Sequence, residues 1–173
     1  LSEEKGQKVF KGDISSLDIE KDKYDAVVLT ELLEHTKNPN GIIKKLYYAL
    51  RLGGIVYITT PNYAGLTRRI AGNRWGMFSK EHIFYFTPEN IKIILKEYGF
   101  KIKKIRTENL LLMEISRLFK NPRSFNIRES YEKQEYVRSL TERKWFFSII
   151  KKLANFILNI FRLGDTIYII AEK

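Results

Sequence analysis

With 173 residues, 44% hydrophobic and 13% aromatic, the chain has the apolar content of one domain, and its lack of cysteine excludes disulfides, thiolate metal sites and cysteine nucleophiles. Its polar start, LSEEKGQK, shows no signal peptide, so we expect a cytoplasmic protein. The net charge of +11 lies mostly in residues 101–173 (16 Lys+Arg, 8 Asp+Glu), which suits a membrane surface, a phosphorylated substrate, RNA or a plain solvated basic face.

Strands and one helix are predicted in the first part of the chain. KVFKGD (8–13) reads as a short strand. YDAVVL (24–29) is a continuous apolar run, typical of a strand buried on both faces of a parallel sheet. NPNGIIKKLYYALRLGG (38–54) has apolar residues at helical spacing and ends at a glycine pair. IVYITTPN (55–62) is a second buried strand, so a βαβ unit is predicted.

The second part continues the alternation. Residues 63–76 read as a mobile loop that carries Arg68, Arg69 and Arg74. Their charges could meet a phosphate or carboxylate on the substrate, or the segment could be a solvated basic loop. TPENIKIILKEYGF (87–100) is a helix with Thr87 as its N-cap. FKIKKIRTE (100–108) alternates apolar and basic residues, and DTIYIIAEK (165–173) is rich in β-branched residues, so both are strands.

A long connection, residues 109–164, separates these last two strands. Within it, KWFFSIIKKLANFILNIFR predicts an apolar helix with one narrow polar stripe, formed by Ser148, Lys152, Asn155, Asn159 and Arg162. Lysines inside a barely sufficient length argue against a transmembrane span. Two interpretations of residues 145–163 stay open: a buried cap helix, or an interfacial helix in peripheral contact with a membrane.

Taken in order, the segments FKGDI, YDAVVLTELLEH, LRLGGIVYITTPN and EHIFYFTPENIKIILKEYGF resemble the second half of a class I S-adenosylmethionine-dependent methyltransferase. The branch that they resemble includes ubiquinone-biosynthesis and sugar methyltransferases. The resemblance implies an α/β fold: the C-terminal part of a Rossmann-like sheet of order 3-2-1-4-5-7-6. Residues 1–108 and 165–173 would form the core, and residues 109–164 a helical insertion or cap.

The resemblance also implies a cofactor, S-adenosylmethionine, and the residues that bind it. Asp13 would accept a hydrogen bond from the adenine amino group, and Ile14 would cover the adenine face. Thr30, Glu31 and Leu32, at the carboxyl end of a strand, would border the methionine part, in keeping with ligand binding at that edge of open α/β sheets. Asp13 is otherwise explained as a strand-end turn residue.

The family's glycine-rich loop and its ribose-holding acid do not occur in the twelve residues before Asp13. A sheet without the strands that carry them would expose edges in its middle. We therefore expect the chain to be a fragment or a truncated reading frame, lacking one βαβ unit and a helix, roughly 50–80 residues.

Both histidines of the chain belong to EH pairs. Some relatives hold a divalent ion with an E-x-x-E-H segment and a later histidine, which here implies Glu31, Glu34, His35 and His82 as ligands for Mg²⁺ or a similar ion. Alternatively, His35 borders the cofactor or substrate and His82 acts as a general base, or the histidines are structural.

An aromatic group surrounds His82 in the sequence and could wall a substrate pocket or belong to the core; it comprises Trp75, Phe78, Phe84, Tyr85 and Phe86. The function expected from these features is methyl transfer to a small molecule, such as a sugar or a lipid-linked intermediate. The alternative is a non-catalytic, truncated methyltransferase-like module that docks on a membrane or an anionic partner.

Overall fold

The computed structural model describes residues 6, 9, 12–14, 16–110 and 145–173. Within these residues, four strands form one mixed sheet, in the order β1-β2-β4-β3. They are β1 (Tyr24–Thr30), β2 (Leu50–Pro61), β3 (Lys101–Glu108) and β4 (Thr166–Glu172). β1 and β2 are parallel, and β4 is antiparallel to both of its neighbours. This arrangement matches the last four positions, 4-5-7-6, of the expected methyltransferase sheet.

In the described ranges, four α-helices accompany the sheet: α1 (Pro39–Ala49), α2 (Leu66–Ala71), α3 (Pro88–Glu97) and α4 (Trp145–Ile160). The capping residues in the sequence account for where α1 and α3 begin. The Asn38 side chain accepts from Gly41 N at the start of α1, and Thr87 and Asn90 form a capping box at the start of α3. Proline at the first position of α1 and α3 completes both starts.

One apolar cluster joins α1 and α3 to the middle strands. Its most deeply buried members are Leu33, Ile43, Leu46, Leu50, Val56, Ile58, Ile91, Leu95, Ile167 and Ile169. Burial of large aliphatic side chains of this kind contributes about 1.5–3 kcal/mol each. The cluster holds the parallel pair β1–β2 in place, so the carboxyl ends of both strands share one edge.

The prediction of a helix over residues 38–54 was wrong at its end. α1 stops at Ala49, and β2 begins at the next residue. Leu50 already pairs with Tyr24 of β1, and the register then shifts before the next pair. Within this irregular stretch, Gly53 N donates to Lys173 O, so pairing with the chain end replaces helical hydrogen bonds.

β1 is not buried on both faces as its apolar run predicted. Val28 is 64% exposed, because β2 is the one strand that pairs with β1 among the described residues. An unpaired edge and an uncovered face leave its apolar side chains in contact with solvent. Of the strand predicted over residues 8–13, Val9, Gly12 and Asp13 lie outside any strand, and the rest falls outside the described residues.

The segment predicted as a mobile loop, residues 63–76, contains a helix. Thr67 N and Thr67 Oγ1 both donate to the carboxylate of Asp165, at 3.0 Å for the backbone contact. This carboxylate is buried beside the first turn of α2, where it satisfies a free N–H. Trp75, which follows the helix, is 2% exposed and fixes the other end of the segment.

The helix predicted in the long connection is present as α4. The remainder of that connection, residues 111–144, lies outside the described part of the chain, and with it the apolar stretch LLLMEISRLFK apart from Leu110. In the described ranges, no helix is both long and apolar enough to cross a membrane. The interpretation as a buried cap was wrong in one respect, because large apolar side chains of α4 are exposed, Phe156 at 61%.

Candidate functional site

The carboxyl ends of β1 and β2 lie side by side, and the predicted EH segment starts where β1 stops. Glu31 follows the strand with a φ of +48°, in the left-handed region that few glutamates adopt. Its N–H donates to Thr59 O of β2. The next ordered element is a single 3₁₀ turn, Leu33–His35, rather than the helix that would have put all three side chains on one face.

Glu34 is the buried centre of this edge, with 2% of its surface exposed. Its Oε2 accepts from Thr60 Oγ1 at 2.9 Å. Its backbone oxygen accepts from both Ile83 N and Phe84 N, at 2.8 and 3.1 Å. Through these bonds Glu34 ties the end of β2 and the loop that carries His82 to the end of β1. The role of Thr60 was not predicted from the sequence, where it is one of two adjacent threonines.

The two imidazoles meet above Glu34. The ring centroids of His35 and His82 are 4.6 Å apart, with the rings inclined at 67°. His35 Nδ1 lies 3.0 Å from Glu81 O. A carbonyl oxygen only accepts, so we assign the proton of His35 to Nδ1 and an available lone pair to Nε2. The structure thus joins residues that are 47 positions apart in the sequence.

Three of the four predicted metal ligands form a compact group. Ligand atoms of Glu34, His35 and His82 all lie within 4.8 Å of one another. Two side-chain atoms of these residues, Glu34 Oε1 and His82 Nδ1, are buried without a hydrogen-bond partner in the described structure. Burial of unpartnered polar atoms is costly, so the group fits a ligand or ion that would satisfy them.

Glu31, the fourth predicted ligand, stays outside that group, but burial and the charges of the group shift the pKa of its carboxyl. Desolvation raises the pKa of its carboxyl, and the neighbouring Glu34 carboxylate raises it further. A hydrogen bond from Thr59 and the charge of His82 act in the opposite direction. Neighbouring carboxyls disfavour each other's negative charge, so such a pair fits a site that receives a proton or a cation.

An aromatic cluster borders His82: Tyr63, Trp75, Phe78 and Tyr85 have ring centroids 5.3–6.3 Å apart. Tyr63 was not singled out from the sequence. It lies two residues after the end of β2, and this position at the end of a predicted strand is the signal that could have identified it. Of the predicted aromatic group, Trp75 and Phe86 belong to the interior, whereas Phe78 and Phe84 are partly exposed.

Arg68 reaches into this aromatic cluster from α2. Its guanidinium carbon lies 4.6 Å from the ring centroid of Tyr63 and 5.4 Å from that of Phe78. Nη2 donates to the Tyr63 hydroxyl at 3.0 Å, and Nε is buried with no partner in the described residues. The aromatic faces thus hold one positive group, and one of its donors has no partner among the described residues.

The predicted cofactor residues fall in two places. Thr30 and Glu31 are exposed at the carboxyl end of β1, with Leu32 half-buried beside them. Ile14 packs against the core cluster and lines a groove of about 310 Å³, which also borders the middle of β1 and the last turn of α1. Asp13 is exposed, and its backbone oxygen accepts from Ser16 Oγ at 2.8 Å in a turn. The groove does not include the histidines.

A family model described as a methyltransferase domain matches residues 2–105. Over 113 residues the chain is 29% identical to 2-methyl-6-phytyl-1,4-hydroquinone methyltransferase 2, a chloroplastic protein of Oryza sativa subsp. japonica. That match covers 62% of this chain and 32% of the relative. The chain thus spans about a third of the length of this curated relative.

Solved structures support the same fold. An S-adenosylmethionine-dependent methyltransferase from Thermotoga maritima aligns over 99% of this chain and 66% of its own, with a TM-score of 0.60 and 15% identity. One from Archaeoglobus fulgidus aligns over 90% and 62%, with a TM-score of 0.52 and 18% identity. The [4+2]-cyclase SpnF aligns over 99% and 59%, with a TM-score of 0.56 and 18% identity. At such identities the likeness shows the fold alone.

Proposed function

The chain belongs to the methyltransferase domain family, among the class I S-adenosylmethionine-dependent methyltransferases, and on that premise we propose that it transfers a methyl group to a small-molecule acceptor. One observation carries the proposal: a buried carboxylate and two imidazoles meet at the carboxyl edge of the parallel strands. This edge is where open α/β sheets bind ligands. The family match gives no support to the alternative of a non-catalytic module.

The residues at the end of β1 have the charge and the solvent exposure that suit binding of the cofactor. Thr30 and Glu31 are exposed there, and the Glu31 carboxylate suits the ammonium group of the methionine part. We assign these two and Leu32 to the methionine part, and Asp13 and Ile14 to the adenine. When bound, S-adenosylmethionine supplies a methyl group on a positively charged sulfur.

A base completes the reaction if the acceptor is a hydroxyl. Methyl transfer to oxygen releases the hydroxyl proton, which a neutral imidazole can take near neutral pH. His82 Nδ1, buried without a partner in the described chain, and His35 Nε2, left with a lone pair, are both available for it. We assign the base role to His82, because it borders the aromatic cluster.

A divalent ion is a second proposal for the same group. The ligand atoms of Glu34, His35 and His82 are already gathered, and the Nδ1–H of His35 donates to a backbone oxygen, as metal-bound histidines usually do. Mg²⁺ or Mn²⁺ suits such oxygen and imidazole ligands. A bound ion would lower the pKa of an acceptor hydroxyl.

Thermal unfolding with and without Mn²⁺ tests the ion. We expect Mn²⁺ to raise the melting temperature of the parent and of a Glu20→Gln control, whose carboxyl is at a distant exposed turn. Glu34→Gln should abolish the rise. An equal rise in the Glu34→Gln variant would place the ion elsewhere, and no rise in the parent would exclude this ion at this group.

The acceptor would lie against the aromatic cluster. We propose a flat or hydrocarbon-bearing acceptor that Tyr63, Phe78 and Tyr85 would contact, with Arg68 available for an acidic group. Sugar and lipid-linked acceptors both match this description. The plant relative is named for a hydroquinone with a phytyl chain, which supports the lipid-linked kind. RNA contact and a cytoplasmic location stay predictions.

The direct test is calorimetric titration of S-adenosylmethionine into the longest reading frame that contains residues 1–173. We expect saturable binding there. We expect weak or no binding by residues 1–173 alone, since these residues contain no glycine-rich loop. A folded protein from the longer frame that binds no cofactor would contradict the proposed function.

A further inference from the structure

Helix α4 presents its apolar side chains to solvent. Six large apolar residues of the helix and its C-terminal end are between 47% and 66% exposed: Ile149, Leu153, Phe156, Ile157, Ile160 and Phe161. We call these six the outer face of α4. Singly exposed apolar residues are ordinary, but six on one helix form a continuous stripe that usually marks a contact surface.

The opposite side of α4 is polar and faces the protein. Asn159 Oδ1 accepts from Thr107 N, and Asn155 Oδ1 accepts from Asn109 N, both at 3.0 Å. Thr107 Oγ1 donates to Leu158 O at 3.2 Å, and Leu158 is buried between them. These bonds satisfy the backbone at the end of β3 and fix the rotation of the helix. Turning the outer face inward would break all of them.

The C-terminal end of α4 is anchored close to the candidate site. Leu66 N of α2 donates to Leu163 O at 2.8 Å. The side chain of Asn62 donates to Gly164 O at 2.7 Å and to Arg162 O at 3.1 Å. Asn62 stands two residues after Thr60, the partner of Glu34. The outer face therefore ends beside the loops that border the proposed acceptor site.

Charge indicates the kind of partner. Residues 145–164 contain Lys151, Lys152 and Arg162 and no acidic residue. Arg162 forms an ion pair with Glu89 of α3, so the two lysines supply the basic charge of the helix. A second copy of the same helix would bring like charges together, whereas anionic lipid headgroups complement them. A helix with an apolar face and a basic border binds in the plane of a bilayer surface.

We propose that the outer face of α4 binds the surface of an anionic lipid bilayer, with its apolar side chains at the level of the acyl chains and its lysines at the headgroups. This goes beyond methyl transfer and does not depend on it. If the proposed function also holds, the contact brings the acceptor loops to the bilayer, where a lipid-linked acceptor resides.

Flotation of the intact protein with vesicles tests the contact. We expect binding to vesicles of phosphatidylglycerol and phosphatidylcholine, weaker binding to phosphatidylcholine alone, and a decrease as salt rises. Phe156→Glu should reduce binding to the anionic vesicles by roughly 30-fold or more, because it replaces an aromatic ring that would enter the bilayer by a charge. Leu52→Glu, a control at an 86% exposed site on β2, should leave binding unchanged.

Circular dichroism of each variant completes the experiment. A folded Phe156→Glu variant that no longer floats, with Leu52→Glu floating as the parent does, supports the proposal. A parent that stays unbound overturns it. Unfolding of Phe156→Glu also overturns it, because the ring would then be needed for the fold. Concentration-dependent self-association without vesicle binding overturns it too, because it would assign the face to a second copy.

Discussion

Two regions of the protein reverse the usual placement of polar and apolar side chains, and they do so in different ways. At the carboxyl edge, Glu34 is buried, and its Oε1 and the Nδ1 of His82 have no partner in the described structure. On α4, Asn155 and Asn159 are half-buried and each accepts a backbone hydrogen bond, while the apolar outer face is open. One region lacks polar contacts, and the other lacks apolar contacts.

The difference indicates what each region binds. A buried polar atom without a partner is stabilised by an ion, a proton or a polar ligand, because nothing apolar can replace the lost hydration. An open apolar stripe is stabilised by another apolar surface. We therefore propose a small polar ligand for the carboxyl edge and a membrane surface for α4. The segment after α4 joins the two regions through Asp165.

The largest effect is expected from removing that link. Asp165→Ala would leave the N–H and hydroxyl of Thr67 buried without an acceptor, at a cost of about 3 kcal/mol in the free energy of unfolding. Urea denaturation measures it. Asp25→Ala, which removes an exposed ion pair with Arg51, should cost about 0.5 kcal/mol or less. Equal losses in both variants would show that Asp165 is no anchor.

Thr60→Val tests how strongly the carboxyl edge depends on its polar contacts. The change removes the hydroxyl bound to Glu34 Oε2 while the side chain keeps its shape, so we expect a loss of about 2 kcal/mol by urea denaturation. Thr36→Val is the matched control, since among the described residues its hydroxyl bonds to one group, the backbone oxygen of Leu33 in the preceding turn. Comparable stability of Thr60→Val and the parent would mean that Glu34 finds other partners.

Asn159→Ala tests the inward orientation of the α4 stripe. It removes the acceptor of Thr107 N, so we expect a loss of about 1 kcal/mol in the free energy of unfolding. Lys152→Ala, on the same stripe but exposed, should change it by less than about 0.5 kcal/mol. The opposite order of the two effects would show that the stripe faces solvent.

The smallest effect concerns pH and Glu31. Because its pKa is raised in the folded state, the folded protein keeps a proton that the unfolded chain has already released, and stability falls as pH rises above the ordinary value of about 4.3. Glu31→Gln should match the parent at about pH 3.5. At pH 7 it should exceed the parent by about 0.5 kcal/mol, a modest gain because water screens this exposed residue.

Denaturation at the two pH values, with Glu20→Gln as control, decides the point. Glu20 is an exposed glutamate paired only with the nearby Lys23 in the described contacts, so its variant should show no comparable gain at pH 7. A Glu31→Gln variant less stable than the parent at pH 7 would mean that the ionised carboxylate is favoured by the site.

Much of the fold could be predicted from local patterns. Thr87 with Pro88 and Asn90 fixes the start of α3 through contacts within one turn. The end of α1 could not be predicted this way, because Leu50 leaves the helix to pair with a strand 26 residues earlier. The helix in residues 63–76 depends likewise on a distant cap, Asp165.

For the same reason, the sequence pointed to only part of the candidate site. The E-x-x-E-H spacing singled out Glu31, Glu34 and His35, and the scarcity of histidine pointed to His82; the structure gathers Glu34, His35 and His82. Glu31 stays outside this group, since β1 ends there in a left-handed residue. Thr60 and Tyr63 belong to the region through tertiary contacts, which a single sequence does not reveal.

The central claim, that the carboxyl edge of β1 and β2 is a methyltransferase site, is tested most directly by a crystal structure of the intact protein with S-adenosylhomocysteine. We expect the homocysteine part beside Thr30, Glu31 and Leu32, with its sulfur facing the side of the edge that carries His82. Binding of this product at another surface, or solely in the groove between β1 and α1, would contradict the claim.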